Sequence, residues 1–233
     1  MFEYGFIMAG GEGKRLRPLT SVMPKPLLPI GERPIIELLI ENMKNSGIKK
    51  IFISVNYKKE IIKNFLRDGS KYGVKIEYVE EATQTGTAGS LILLPEHFNK
   101  PLIVSNGDLV CNLDYKIIFD MLQKYDLVLT GIEKTFYIDF GVLHIKEDKL
   151  ESWEEKPNIK YIINGGIYGI SPEVIKIIKN TFKSEQYLDM PSLWELVSKN
   201  GLKIGVYLHN GDWKDIGKIE DYLSLTEEKE KLQ

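Results

Sequence analysis

Apolar residues come in short runs that alternate with helical stripes. Tyr4-Gly5-Phe6-Ile7-Met8-Ala9 is a continuous apolar stretch that stops at Gly10-Gly11-Glu12-Gly13, the pattern of a buried strand feeding a flexible loop. Ile36, Leu39, Ile40 and Met43 repeat at three and four residues before Gly47, which predicts an amphipathic helix with a glycine stop. Ile51 to Val55 reads as a strand, Asn56 as the cap of a helix carrying Ile61, Ile62, Phe65 and Leu66, and Val74 to Val79 as another strand. Leu91 to Leu94 reads as the close of a third helix. Pro101 to Ser105 is the next buried strand, and it runs into Asn106-Gly107-Asp108, a second polar loop at a strand end.

From about residue 126 the rhythm changes. Leu127 to Ile132, Phe140 to Ile145 and Tyr161 to Ile170 follow with little helix between them, which predicts a mixed or antiparallel extension of the same sheet. Ser171-Pro172 and Asp189-Met190-Pro191 are helix starts with a cap and an early proline, and the tail after Lys218 reads as a surface helix. The alternation predicts an α/β fold, a mostly parallel sheet with helices on both faces. No repeat, low-complexity segment or flexible linker interrupts it.

Composition narrows the function classes. The 233 residues are 43% hydrophobic and 27% charged, ordinary globular usage. Lys and Arg number 31 against 33 Asp and Glu, a net charge of −2, so no excess of cations is available for a nucleic-acid backbone. The lone Cys111 has no internal disulfide partner, and His97, His144 and His209 lie too far apart for zinc spacing, which suits a reducing cytoplasm. Glu3 sits where a signal peptide would be apolar, and no apolar run approaches membrane-spanning length.

In open α/β sheets ligands bind beyond the carboxyl ends of strands, so the loops at 10–17 and 106–108 carry the candidate chemistry. Glycines let backbone amides approach phosphate closely, and Arg15 adds a fork of donors. A dinucleotide fingerprint would need glycine where Leu16 stands, and a Walker loop would need Ser or Thr at Arg15 and Gly at Met8. Pro24-Lys25-Pro26 fixes an ammonium between two prolines. Each feature alone has a plainer reading: a ligand-free turn, a rigid solvated loop, a turn aspartate at Asp108, a solvated pair at Glu155 and Lys156, a strand-end pin at Asn164, a helix cap at Asp215.

Taken together, the glycine-rich loop ending in Arg15, then Leu16-Arg17-Pro18-Leu19-Thr20, then Pro24-Lys25-Pro26, resembles the sugar-1-phosphate nucleotidylyltransferases. Later segments extend the likeness in order: Gly86-Thr87-Ala88 after Gln84, Asn106-Gly107-Asp108, Glu154-Glu155-Lys156-Pro157, Asn164-Gly165-Gly166-Ile167-Tyr168 and Trp213-Lys214-Asp215-Ile216-Gly217. The resemblance implies a Rossmann-like three-layer sandwich of the GT-A-like nucleotidyltransferase type. It further implies one domain over 1–233, with 1–125 mainly nucleotide-binding and 126–233 mainly sugar-phosphate-binding.

It also implies roles. Ala9, Gly10, Gly11, Gly13, Gln84, Gly86, Thr87, Asn106 and Gly107 would bind the nucleotide; Gly141, Glu155, Lys156 and Asn164 the sugar phosphate; Asp108 and Asp215 would hold Mg²⁺. Arg15 would face the departing pyrophosphate, Lys25 the phosphates at the reacting centre and Lys156 the attacking sugar phosphate. The substrates implied are a nucleoside triphosphate and a sugar 1-phosphate, with no nucleic-acid or membrane partner and a homodimer as the candidate assembly.

Lys14 stands where threonine is more usual, and Lys218 where threonine or arginine is common; neither removes a phosphate or metal residue. Gln84 is shared in type with uridylyl-transferring members, while the overall texture is closest to short bacterial guanylyltransferase-like enzymes, so GTP is the favoured donor over UTP, dTTP or CTP. Two alternatives stand beside this reading: a cytidylyltransferase for a non-sugar phosphate, and a catalytically silent subunit that senses nucleotide sugars. The length leaves no room for the left-handed β-helix of longer relatives, which argues against a bifunctional acetyltransferase.

Overall fold

Strands that are apolar throughout must be covered on both faces, and this dictates the layering. A computed structural model describes residues 3–230. In chain order its strands and α-helices are β1 (Tyr4–Met8), α1 (Leu19–Val22), β2 (Pro29–Ile30), β3 (Arg33–Pro34), α2 (Ile35–Asn45), β4 (Lys50–Val55), α3 (Lys59–Leu66), β5 (Lys75–Glu80), β6 (Leu102–Asn106), β7 (Leu109–Cys111), α4 (Tyr115–Met121), β8 (Leu127–Tyr137), β9 (Val142–Lys146), β10 (Lys149–Glu154), β11 (Asn158–Ile170), α5 (Pro172–Thr181), α6 (Met190–Lys199), β12 (Ile204–His209), β13 (Trp213–Asp215) and α7 (Ile219–Glu230).

Seven strands form one sheet in the order β12-β8-β11-β6-β1-β4-β5. Only β11 runs against its neighbours β6 and β8; the remaining pairs are parallel. Side chains alternate between two cores. Ile7, Ile53 and Ile103 pack with α2, α3 and α4, whereas Phe6, Phe52 and Val104 pack on the other face with α5 and α6. The sandwich is therefore three-layered.

Local chemistry sets the helix ends. Ile36, Leu39, Ile40 and Met43 are all buried along α2, and Gly47 follows at φ +101, a conformation that favours glycine. Ser171 accepts a hydrogen bond from the Val174 amide (3.3 Å) and Asp189 from that of Ser192 (2.9 Å), capping α5 and α6 where the sequence predicts.

Three expectations are corrected. Asn56 does not cap α3; its Nδ2 donates to the Glu81 carbonyl (2.9 Å), and the helix begins after Lys58 in a left-handed conformation. Leu91 to Leu94 does not close an α-helix: Gly89–Leu93 is a 3₁₀ segment that ends before Pro95. Phe140 to Ile145 does not extend the main sheet either. β9 pairs only with β10, and this ribbon leaves the sheet beyond the long β8–β11 pair. Apolar residues of this segment are instead exposed, among them Phe140, Leu143 and Ile145, as is Trp153 on β10.

Candidate functional site

The carboxyl ends of β1, β4, β5 and β6 lie side by side, and the loops leaving them enclose a cavity of about 500 Å³, within the size range of small-molecule sites. One wall is the glycine loop. Gly13 adopts φ +63, and a Cβ there would come within 2.8 Å of Thr20 and 3.2 Å of Lys25, so glycine lets the loop fold back onto the Pro-Lys-Pro segment. Thr20 Oγ1 donates to the Gly13 carbonyl (2.9 Å) and fixes that return. Gly10, Gly11, Gly13 and Arg15 all line the cavity, whereas Ala9 is buried behind it with its amide on Ser54.

The opposite wall is the turn after β5. Gly86 has φ +87, and a Cβ would stand 2.5 Å from the Leu188 carbonyl. The Ala88 amide donates to the Leu188 carbonyl (2.9 Å), the Leu188 amide donates to the Thr85 carbonyl (2.8 Å), and Thr87 Oγ1 accepts from the Met190 amide (2.9 Å), so the turn is docked on the start of α6. Gln84, Gly86 and Thr87 line the cavity, as do Glu81 and Tyr187.

The floor carries the charges. Gly107 donates to the Met8 carbonyl (2.9 Å), joining the ends of β6 and β1. Beside it the Lys25 ammonium donates to Oδ2 of Asp108, with both side chains largely buried. Asp108 Oδ1 is buried with no hydrogen-bond partner. β7 pairs with β13, and the Ile216 amide donates to the Asp108 carbonyl (3.1 Å), which brings Asp215 alongside. Burial, and then the Asp108 charge, push the Asp215 carboxyl above its ordinary pKa, against the opposing pull of Lys25 and Arg15. Asp215 Oδ2 and Arg15 Nη1 lie 3.4 and 3.8 Å from where a Cβ on Gly217 would stand.

These features fit a hard divalent cation. Two partly desolvated carboxylates converge, one oxygen lacks a partner, and among the described residues no three His, Cys, Asp or Glu side chains gather. A cation held by so few protein oxygens would complete its shell with phosphate and water oxygens.

The sugar-phosphate candidates do not join this cavity. Gly141, Glu155 and Lys156 are exposed where the β9–β10 ribbon meets the main sheet. They neighbour one another: a Cβ on Gly141 would lie 3.0 Å from Glu155 Oε2. Lys156 holds φ +47, a strained value for a lysine before proline. Asn164 Nδ2 donates to the Tyr168 hydroxyl (2.7 Å) and its Oδ1 accepts from the Gly166 amide (3.1 Å), so its side chain braces the bulge in β11. That bulge packs Gly166 against Asn106 of the cavity wall.

Glu81, Ser54 and Tyr187 were not among the sequence candidates. Glu81 stands two residues past the predicted strand Val74 to Val79, close to a strand end where ligands bind; Tyr187 is brought in by the docking of α6 and carries no local signal.

The chain matches the family model described as nucleotidyl transferase over residues 4–231. It is 33% identical over 235 residues to a mannose-1-phosphate guanyltransferase of Yarrowia lipolytica, covering 95% of this chain and 62% of that protein. It is 30% identical over 237 residues to a UTP–glucose-1-phosphate uridylyltransferase of Synechocystis, covering 93% and 60%. This chain thus spans about six tenths of the length of these relatives. Among solved structures, HddC from Yersinia pseudotuberculosis complexed with GMP-PN superimposes with a TM-score of 0.73 at 26% identity, covering 97% of this chain and 99% of that one.

Proposed function

This chain belongs to the nucleotidyl transferase family, and we propose that it transfers a nucleoside monophosphate from a triphosphate to a sugar 1-phosphate, releasing pyrophosphate. The observation that carries the reading is the convergence of the glycine loop, Arg15, Lys25 and the unpaired Asp108 oxygen on one cavity. In the reaction a sugar-phosphate oxygen attacks the α-phosphorus, a new P–O bond forms, the α–β phosphoanhydride bond breaks, and its electron pair leaves on pyrophosphate. Such transfers depend on positioning and charge more than on a general base.

In this reading the loop amides at Gly10, Gly11 and Gly13 cradle the triphosphate. Arg15 neutralises the leaving pyrophosphate, and Lys25 the reacting centre. Mg²⁺, held through Asp108 and Asp215, would supply further charge neutralisation there. Gly141, Glu155 and Lys156 form a cluster that meets the sugar phosphate from outside the cavity, and the strained backbone at Lys156 supports a binding role. Residues 1–125 then hold most of the nucleotide site and 126–233 most of the sugar-phosphate site.

GTP is the favoured donor, supported by the guanyltransferase relative and by the GMP-PN complex of HddC. A homodimer is supported by the apolar surface of the β9–β10 arm. A cytoplasmic location is in keeping with the single cysteine; no helix among the described residues is long and apolar enough to cross a membrane. The silent-subunit alternative would expect loss of charged phosphate or metal residues, yet Arg15, Lys25, Asp108, Lys156 and Asp215 are all present.

The test is pyrophosphate release with Mg²⁺ across GTP, UTP, dTTP, CTP and ATP, crossed with mannose-, glucose-, glucosamine-, N-acetylglucosamine- and heptose-1-phosphates. Release that needs both substrates is the expected result. Silence across the grid from protein that still binds a triphosphate would overturn it.

A further inference from the structure

One residue of the Leu16 to Thr20 segment has no part in the chemistry above. Thr20 does not line the cavity, yet it is fully buried in α1 behind the glycine loop. The Gly13 carbonyl accepts twice, from Thr20 Oγ1 (2.9 Å) and from the Leu16 amide (2.9 Å), and both donors belong to buried residues. A carbonyl oxygen has two lone pairs, so this one has none left to turn towards the cavity. The Gly13–Lys14 peptide is trans, and in a trans peptide the C=O and the N–H point in opposite directions. Pulling the carbonyl inward therefore turns the Lys14 amide outward, onto the cavity that Gly13 and Lys14 both line. Among the described residues no acceptor takes that amide.

The loop needs such a tether. Gly13 sits at φ +63, and glycine populates both signs of φ about as readily, so the loop backbone alone does not fix which way this peptide faces. Rotated by half a turn, the same peptide would set a carbonyl oxygen against an anion in place of a donor. The Thr20 hydroxyl supplies the constraint that glycine lacks.

Thr20 is itself held from outside its helix. α1 is only four residues long, too short to keep its shape by its own hydrogen bonds. The hydroxyl of half-buried Tyr57, two residues beyond β4, donates to the Thr20 carbonyl (3.2 Å). A relay thus runs from the end of β4 through Tyr57 and Thr20 to the Gly13 carbonyl. We propose that Thr20, braced by Tyr57, is a positioning residue for the triphosphate: it fixes the Gly13–Lys14 peptide with its N–H towards the phosphates. This rests on the reading above that the cavity holds a nucleoside triphosphate.

The test is calorimetric titration of inorganic tripolyphosphate, GTP and UTP, each with Mg²⁺, into wild type, Thr20→Val, Thr20→Ser and Tyr57→Phe. Valine keeps both branches of the side chain and loses the hydroxyl, whereas serine keeps the hydroxyl and loses the methyl that lies over Gly13. Thr20→Val should raise Kd by about threefold to thirtyfold for every one of these ligands that wild type binds, and Thr20→Ser should bind them nearly as wild type does. Tyr57→Phe should weaken binding less, in the same direction, and stands in should Thr20→Val fail to fold. A role in packing alone ranks valine and serine the other way, because serine leaves the larger void. Binding by Thr20→Ser as weak as that of Thr20→Val or weaker, or unchanged affinity in both Thr20→Val and Tyr57→Phe, overturns the role of Thr20 and leaves the nucleotide reading of the cavity standing. Wild type that binds none of the three ligands overturns that reading and this inference together.

Discussion

The Lys25 ammonium reaches Oδ2 of Asp108, 83 residues further along the chain, and ties the Pro-Lys-Pro segment to the end of β6. The lysine side chain is 11% exposed and the aspartate 25%, so water does little to relieve either charge if the other is removed. Lys25→Met should lower stability by about 1–3 kcal/mol, and Asp108→Asn added to it should recover part of that loss. Urea unfolding of both single variants and the double variant reads the coupling. Strictly additive losses would mean that the contact does not form in solution. Turnover should be lost in all three.

Asp108→Asn and Asp215→Asn each replace a carboxylate by a group of the same shape. Turnover at saturating Mg²⁺ should fall on the order of a hundredfold or more in each, while the melting temperature of Asp215→Asn stays near that of wild type and that of Asp108→Asn falls with the loss of its Lys25 partner. Pyrophosphate release across a Mg²⁺ titration measures this. An unchanged magnesium dependence in either variant would remove that aspartate from the metal site.

Glu80 at the end of β5 is clamped by Lys59 and Lys63 of α3, at 2.8 and 2.7 Å. The two ammonium partners pull its pKa down to about 2. The folded protein thus binds this proton less tightly than the unfolded chain. The clamp contributes fully above the ordinary carboxylate range and is lost as pH falls towards 2. Wild type should exceed Glu80→Gln in urea midpoint at pH 7 and converge with it on acidification. High salt should shrink the difference because the pair is exposed. A gap that grows on acidification would contradict the assignment.

Two glycines should respond in opposite ways. A Cβ on Gly107 would stand 2.5 Å from the Met8 carbonyl, so Gly107→Ala should force β1 and β6 apart and cost about 1–3 kcal/mol. Gly11 has nothing within 4 Å of its Cβ position and lines the cavity. Gly11→Ala should leave the melting temperature unchanged and weaken triphosphate binding in a calorimetric titration. Equal affinity would take Gly11 out of the phosphate cradle.

Phe140, 77% exposed, and Trp153, 68% exposed, belong to the apolar surface of the arm. Replacing both with serine should convert a dimer to monomer in light scattering without lowering the melting temperature of the monomer. A wild-type protein that is monomeric at micromolar concentration would remove the arm as a dimer contact.

Much of this protein was set by local chemistry and is readable along the chain. The glycine loop after β1, the α2 stripe that ends at Gly47, and the caps Ser171 and Asp189 depend only on neighbours within a few residues, where periodicity and side-chain geometry act directly. What the tertiary structure alone decided are the meetings of distant segments. The change of rhythm after residue 126 marks β11 as part of a mixed or antiparallel extension but does not say that its partners are β6 and β8, and periodicity cannot tell the arm's exposed alternation from a buried one. Gln84 is drawn to Glu12 and Lys25 to Asp108 because separate strand ends converge at one edge of the sheet. Glu81 looks in sequence like any solvated glutamate beyond a strand; the bare backbone of Gly10 and the hydroxyl of Thr85 are what aim it into the cavity. A chain specifies its own turns locally, whereas a binding site is an arrangement of chain ends that exists only once the sheet has ordered them.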